Sequence, residues 1–128
     1  MRLLGIDYGE KRIGLAIGDS ETALAFPIDV ISRDGAGAKI RAILEKEGLE
    51  GIVIGMPYTP DGEKRKSAER VEAFIEELRV FKIGVPIETV DERDTTIASH
   101  ALRDETGTRE DKDALAAMLI LNEYFSKG

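Results

Sequence analysis

Hydrophobic positions along the chain follow two rhythms, and the change between them comes near residue 35. Before it, apolar residues run together or alternate. Residues 3–6 form a short apolar run that ends at Asp7, the pattern of a buried strand. A turn built on Gly9 follows, and then Ile13, Leu15 and Ile17 alternate onto one face. Phe26, Ile28 and Val30 alternate again, so the first third of the chain predicts an antiparallel meander of three strands. After residue 35 the spacing becomes helical. Ile40, Ile43 and Leu44 share a stripe that Gly48 closes. Residues 52–54 are an uninterrupted apolar strand that stops at Gly55 and Pro57. Ala68, Val71, Phe74, Ile75 and Leu78 line one side of a long helix, and residues 87–90 form another strand, ending at Asp91 and Glu92. Asp94 fits an N-cap for a helix carrying Ile97, Ala98, Ala101 and Leu102. Gly107 interrupts the pattern within a polar loop at residues 106–112. A last helix, opened by Asp113, carries Leu115, Met118, Leu119, Asn122 and Phe125.

The predicted order is therefore β-β-β-α-β-α-β-α-α. A meander followed by right-handed crossovers gives an α/β fold: a mixed sheet of three antiparallel and two further parallel strands, with helices on both faces. This is the RNase H-like arrangement, whose second half is shared by flavodoxin-like folds. A chain of 128 residues is expected to hold one such domain, spanning residues 1–128. No apolar run is long enough for a membrane span, and the first residues lead straight into charges, unlike a signal peptide. A cytoplasmic protein without a membrane partner is the expectation.

Composition narrows the chemistry. There is no cysteine, and His100 is the single histidine. Disulfides, thiolate nucleophiles and Cys/His zinc sites are excluded together. His100 falls in an amphipathic segment and reads as a surface or packing residue rather than a triad member. Any metal must be held by oxygen, which selects Mg²⁺ or Mn²⁺.

Ligands of open α/β sheets bind beyond the carboxyl ends of the parallel strands. If the first, fourth and fifth strands are parallel, Asp7 and Glu92 arrive at one edge. Asp113 is the third candidate, because the small Ala114, Ala116 and Ala117 let its helix approach the sheet closely. Three carboxylates without histidine describe a site for hard cations. Two such ions about 4 Å apart activate water and stabilise a leaving oxygen in phosphodiester cleavage. Each residue also has a plainer role available: Asp7 in the turn before Gly9, Glu92 paired with Arg93, and Asp113 favoured by its helix dipole.

Four blocks carry a resemblance to a known family: GIDYGEKRIGLAIGD at residues 5–19, VIGMP at 53–57, VDERDTT at 90–96 and KDALAAMLIL at 112–121. In content, order and spacing they resemble the YqgF family, also called RuvX-like, over nearly the whole chain. The resemblance implies an RNase H-like fold and a nuclease that matures the precursor of small-subunit ribosomal RNA, or else resolves Holliday junctions. Its partner would be structured RNA (pre-rRNA) or branched DNA. It further implies that Asp7 is the strand-one carboxylate, Glu92 the acid of the DER motif and Asp113 the acid of the last helix, with Arg12 and Arg93 facing phosphate. Many nucleases of this fold carry an acid at the end of the fourth strand. Here that place holds Gly55-Met56-Pro57, and the resemblance implies that Glu92 replaces it from the next strand.

Charge bears on this in the opposite direction. There are 18 basic against 25 acidic residues, a net charge of −7, where nucleic-acid binding ordinarily needs a basic footprint. The basic residues cluster, however, as Lys11-Arg12, as Lys64-Arg65-Lys66 with Arg70, and as Arg109 with Lys112. All three groups are expected on the edge that carries the acids, forming a local positive rim. Two other classes of function stay open. Asp7-Tyr8-Gly9 with Arg12 and Gly14 resembles the phosphate hairpin of actin-like ATPases and sugar kinases, which need two such domains; ATP binding by the monomer would mark that class. A non-catalytic RNase H-like interaction module is the other, distinguished by the absence of turnover.

Overall fold

The computed structural model describes residues 1–57, 62–91 and 109–127, with the backbone alone at 62–65 and 109–111. Strands β1 (Arg2–Asp7), β2 (Arg12–Asp19) and β3 (Leu24–Ser32) are followed by helix α1 (Ala36–Glu47), strand β4 (Gly51–Met56), helix α2 (Gly62–Val80), strand β5 (Ile87–Asp91) and helix α3 (Arg109–Lys127). They build one sheet in the order β3-β2-β1-β4-β5. β1–β2 and β2–β3 are antiparallel, and β4 pairs in parallel with both β1 and β5. This is the predicted mixed sheet. The helix expected to start at Asp94 lies outside the described residues.

The sheet is buried on both faces in its centre, which explains why β1 and β4 read as continuous apolar runs. On one face, Leu4, Ile6, Ile13, Leu15, Ile52 and Ile54 pack with Ile40 and Leu44 of α1 and with Val71, Phe74 and Leu78 of α2. On the other, Leu3, Ala16, Val53 and Val90 pack with Ala117, Ile120 and Leu121 of α3. Each fully buried side chain of this kind stabilises the fold by about 1.5–3 kcal/mol before conformational entropy is counted. α1 ends as predicted: Gly48 takes a left-handed conformation (φ 62°) and its N–H donates to the Leu44 carbonyl.

The structure adds the exposure of the third strand and corrects the start of the last helix. The alternation of Phe26 and Ile28 marks the strand and leaves its exposure open. β3 is an edge strand, and Leu24, Phe26 and Ile28 are exposed; Ile31 is the residue of this strand that enters the core. The last helix begins at Arg109, not at Asp113. The polar stretch predicted as loop through Lys112 is therefore helical from Arg109 onward, and Asp113 sits a full turn inside the helix.

The two central layers meet at glycines. A Cβ at Gly14 would lie 2.0 Å from the Asp113 carbonyl oxygen, and one at Gly5 would lie 2.6 Å from Leu121 Cγ and 2.8 Å from the Ala117 carbonyl oxygen. The α3 backbone thus rests directly on β1 and β2, with hydrogen in the place of a side chain. Gly14→Ala forces backbone apart from backbone and is expected to cost about 3 kcal/mol, the upper end for overpacking. Urea denaturation checks this; a variant within 0.5 kcal/mol of the parent, the range of neutral surface changes, would show that the contact is looser than described.

Candidate active site

The register brings Asp7 to Asp113. β1 and β2 are paired so that Asp7 faces Gly14, and the backbone carbonyl of Asp113 lies over Gly14. Leu3 packs in the α3 cluster and Gly5 faces α3, so strand alternation assigns Asp7 to that same face. Because only glycine occupies position 14, no side chain separates the two acidic residues along this path. Arg12 opens β2 two residues earlier, and its Nε–H donates to Asp113 Oδ2 at 3.1 Å. Both partners of this ion pair are partly exposed, at 35% and 28%.

At the end of β5, Asp91 pairs in register with Met56 and Val90 with Gly55. Met56 belongs to the α1–α2 core and Val90 to the α3 core. The pleat therefore gives Asp91 the face opposite to Asp7, which sets it apart from the pair formed with Asp113. Glu92 and Arg93 lie outside the described residues. So do the side chains of Lys64, Arg65 and Arg109, whose backbones belong to α2 and α3. Lys11 is exposed in the β1–β2 turn and Lys112 is half-buried beside Asp113. Arg70 forms an ion pair with Glu10 of that turn, so it tethers α2 to the turn.

A cavity of about 330 Å³ opens on the same edge, bordered by Asp7, Tyr8 and Glu10, by Pro57 after β4, and by Ser67 and Arg70 of α2. One wall of it is held by a cluster that the sequence did not announce. Arg33, in the connection between β3 and α1, donates from Nε to the Tyr8 hydroxyl at 3.0 Å and from both terminal nitrogens to the Glu77 carboxylate, each at 3.1 Å. Its guanidinium lies 5.0 Å from the Phe74 ring centre and 5.6 Å from that of Tyr8, and the two rings are 4.8 Å apart. The Glu77 carboxylate, then the Tyr8 hydroxyl, raise the Arg33 pKa above its ordinary value. Arg33 stays charged at any working pH, so the cluster acts as a permanent clamp on the residue next to Asp7. A lone arginine after a strand has no periodic or motif signature, and its partner is 44 residues away in sequence.

The donor set fits a hard divalent cation. It consists of carboxylate oxygens, with no cysteine in the chain and the single imidazole outside the described residues. Among the described residues, no group of three acids is close enough to form a metal site alone.

Comparison with known proteins identifies the family. The family model described as "RuvX: Holliday junction resolvase" matches residues 1–127. The chain belongs to the RuvX family. A relative from Desulforudis audaxviator, named "Putative pre-16S rRNA nuclease", is 37% identical, with 98% of this chain and 94% of the relative covered. One of the same name from Bordetella pertussis is 35% identical over 95% of this chain and 91% of its own length. Among solved structures, Thermus thermophilus RuvC in complex with a Holliday junction substrate superposes with a TM-score of 0.65 at 18% identity, covering 99% of this chain and 94% of RuvC. The fowlpox virus Holliday junction resolvase does so with a TM-score of 0.55 at 11% identity, over the full length of both chains. At such identities the likeness establishes the fold, which is RNase H-like as the element order predicted.

The Arg33 clamp yields a direct expectation. Arg33→Met keeps much of the apolar stem but removes three hydrogen bonds. It is expected to lower stability by about 1–2 kcal/mol, a partly exposed bidentate pair being worth less than a buried one. Chemical denaturation measures this, and an unchanged midpoint would show that Tyr8 and Glu77 are held without it.

Proposed function

We propose that this chain is a metal-dependent nuclease that hydrolyses phosphodiester bonds in structured nucleic acid, and that its substrate is the precursor of 16S ribosomal RNA. The observation that carries this reading is the meeting of Asp7 and Asp113 over Gly14, on the strand-end edge of the sheet, in a chain of the RuvX family. The RNA substrate is favoured over branched DNA by relatives at 33–37% identity across at least 95% of the chain that carry the pre-16S rRNA nuclease name. The RuvC likeness, at 18% identity, bears on fold. Such work places the protein in the cytoplasm, where rRNA is made in bacteria; among the described residues no helix is long and apolar enough to cross a membrane.

In this reading Asp7, Asp113 and Glu92 hold one or two ions of Mg²⁺ or Mn²⁺. Glu92 follows the end of β5 directly in sequence. When bound, the metal supplies an activated water and charge neutralisation at the leaving oxygen. The chain's own residues do the rest. Asp7 and Asp113 present their carboxylates from a strand end and from a helix seated directly on the neighbouring strand, which orients whatever they bind. Lys11, Arg12, Lys64, Arg65, Arg93, Arg109 and Lys112 form the phosphate-binding rim around an otherwise acidic molecule. Tyr8 and Pro57 border the cavity beside the reacting edge. Binding through so small a rim is weak and falls steeply with salt.

Asp7→Asn separates catalysis from folding. It preserves shape but removes a charge from a crowded acidic site, so thermal stability in EDTA is expected to stay level or rise. Cleavage of an RNA spanning the 5′ end of pre-16S rRNA, in Mg²⁺ or Mn²⁺, is expected to fall by at least about a hundredfold, since water activation and leaving-group stabilisation are lost together. A variant that melts several degrees lower yet cleaves normally would make Asp7 a turn residue. Cleavage by the parent that persists in excess EDTA would exclude the metal, and preference for a four-way DNA junction over the RNA would reverse the substrate assignment.

A further inference from the structure

We propose that Arg12 and a divalent cation compete for the Asp113 carboxylate, so that filling the metal site releases Arg12 to substrate phosphate. The proposal rests on the reading of Asp113 as a metal ligand and adds a positioning residue that guards it.

Three features of the structure lead to this exchange. The first is the ion pair itself, 3.1 Å from Arg12 Nε to Asp113 Oδ2. A carboxylate assigned to a cation already has one, built into the chain. The second is the close backbone packing. The Asp113 carbonyl lies against Gly14 with no room for a methyl group, so α3 is seated directly on β2. Arg12 is two residues from Gly14 on the same strand, which keeps its guanidinium within reach of Asp113. Rotation of side chains is enough to part the pair, and Arg12, 35% exposed on a long stem, has room to swing outward.

The third feature is charge. The Arg12 guanidinium neutralises the Asp113 carboxylate close to the end of the strand that carries Asp7. A divalent ion at that carboxylate brings twice the charge and repels the guanidinium. Displaced from Asp113, Arg12 keeps its full set of N–H donors and its charge at the mouth of the site, suited to a phosphate oxygen. Linkage makes the effect reciprocal: phosphate held by Arg12 tightens the metal by the same factor that metal tightens phosphate. An ion pair this exposed contributes little, so the coupling is small, about threefold to fivefold. That is enough to favour filling the site when substrate is present and to leave it guarded when substrate is absent.

Titration calorimetry of the whole chain with Mn²⁺, in the absence of nucleic acid, tests the exchange without reference to activity. Arg12→Gln removes the competitor and is expected to tighten Mn²⁺ by about threefold to fivefold. Arg12→Lys, which keeps a cation but loses the directed Nε–H bond, is expected to shift affinity the same way by less, and keeps the test open should the glutamine variant fail to fold. Asp113→Asn is expected to weaken Mn²⁺ tenfold or more. If Asp113→Asn weakens Mn²⁺ while neither Arg12 variant tightens it, the metal reading stands and the exchange is wrong, Arg12 being a support for the ligand rather than its competitor. If Asp113→Asn leaves Mn²⁺ affinity unchanged, Asp113 is not a ligand and the exchange fails with that reading.

Discussion

The contact between the α3 backbone and the paired strands β1 and β2 is the constraint on which the rest of the site depends. A helix ordinarily packs on a sheet through side chains, which keeps its axis about 10 Å away and its polar residues off the strands. Here Gly5 and Gly14 remove that spacer, and the Ala117 and Asp113 carbonyls come down onto the strands themselves. The position of Asp113 is thereby set by backbone against backbone in a close-packed interior. Asp7 needs no such device because it is the last residue of the strand paired with Gly14. Two acids separated by most of the chain thus share one small region through the absence of a side chain.

That arrangement explains how so acidic a molecule can present a site for nucleic acid. The net charge of −7 is spread over the surface, while the site has cations held in defined places. Arg12 bonds Asp113, Arg70 pairs with Glu10 at the cavity rim, and Arg33 clamps Tyr8 against Phe74 and Glu77. None of these pairs is deeply buried, so each contributes modestly to stability. Their effect is on position: they join the β1–β2 turn to α2 and β2 to α3, around the edge where Asp7 ends its strand.

Most of the sheet was legible in the sequence because its signal is local. Apolar runs, alternation and the closing glycine at position 48 each act within a few residues, and their order predicted the meander, the crossovers and the parallel β1–β4–β5 set. The exposure of β3 was not legible for the same reason. Alternation of Phe26 and Ile28 reports a strand, but only tertiary position reports that this strand lies at an edge. The start of α3 was placed too late because the charged residues from Arg109 to Lys112 lack an apolar stripe, though they are helical. Asp7 and Asp113 were singled out as candidates by their motifs and by the small residues beside Asp113, and the register sets both near Gly14. The contact of Gly14 with that helix, and the Arg12 and Arg33 pairs, were not. They join residues far apart in sequence and have no period.

The central claim is that a divalent cation binds where Asp7 and Asp113 meet. Paramagnetic broadening of backbone amide signals by substoichiometric Mn²⁺ tests it most directly, because the effect falls off steeply with distance from the bound ion. The account predicts that the signals of Asp7, Tyr8, Gly14 and Asp113 disappear first, while those of the exposed acids Glu45, Glu69 and Glu76 persist. Broadening spread over those surface acids, with Asp7 and Asp113 spared, would contradict it.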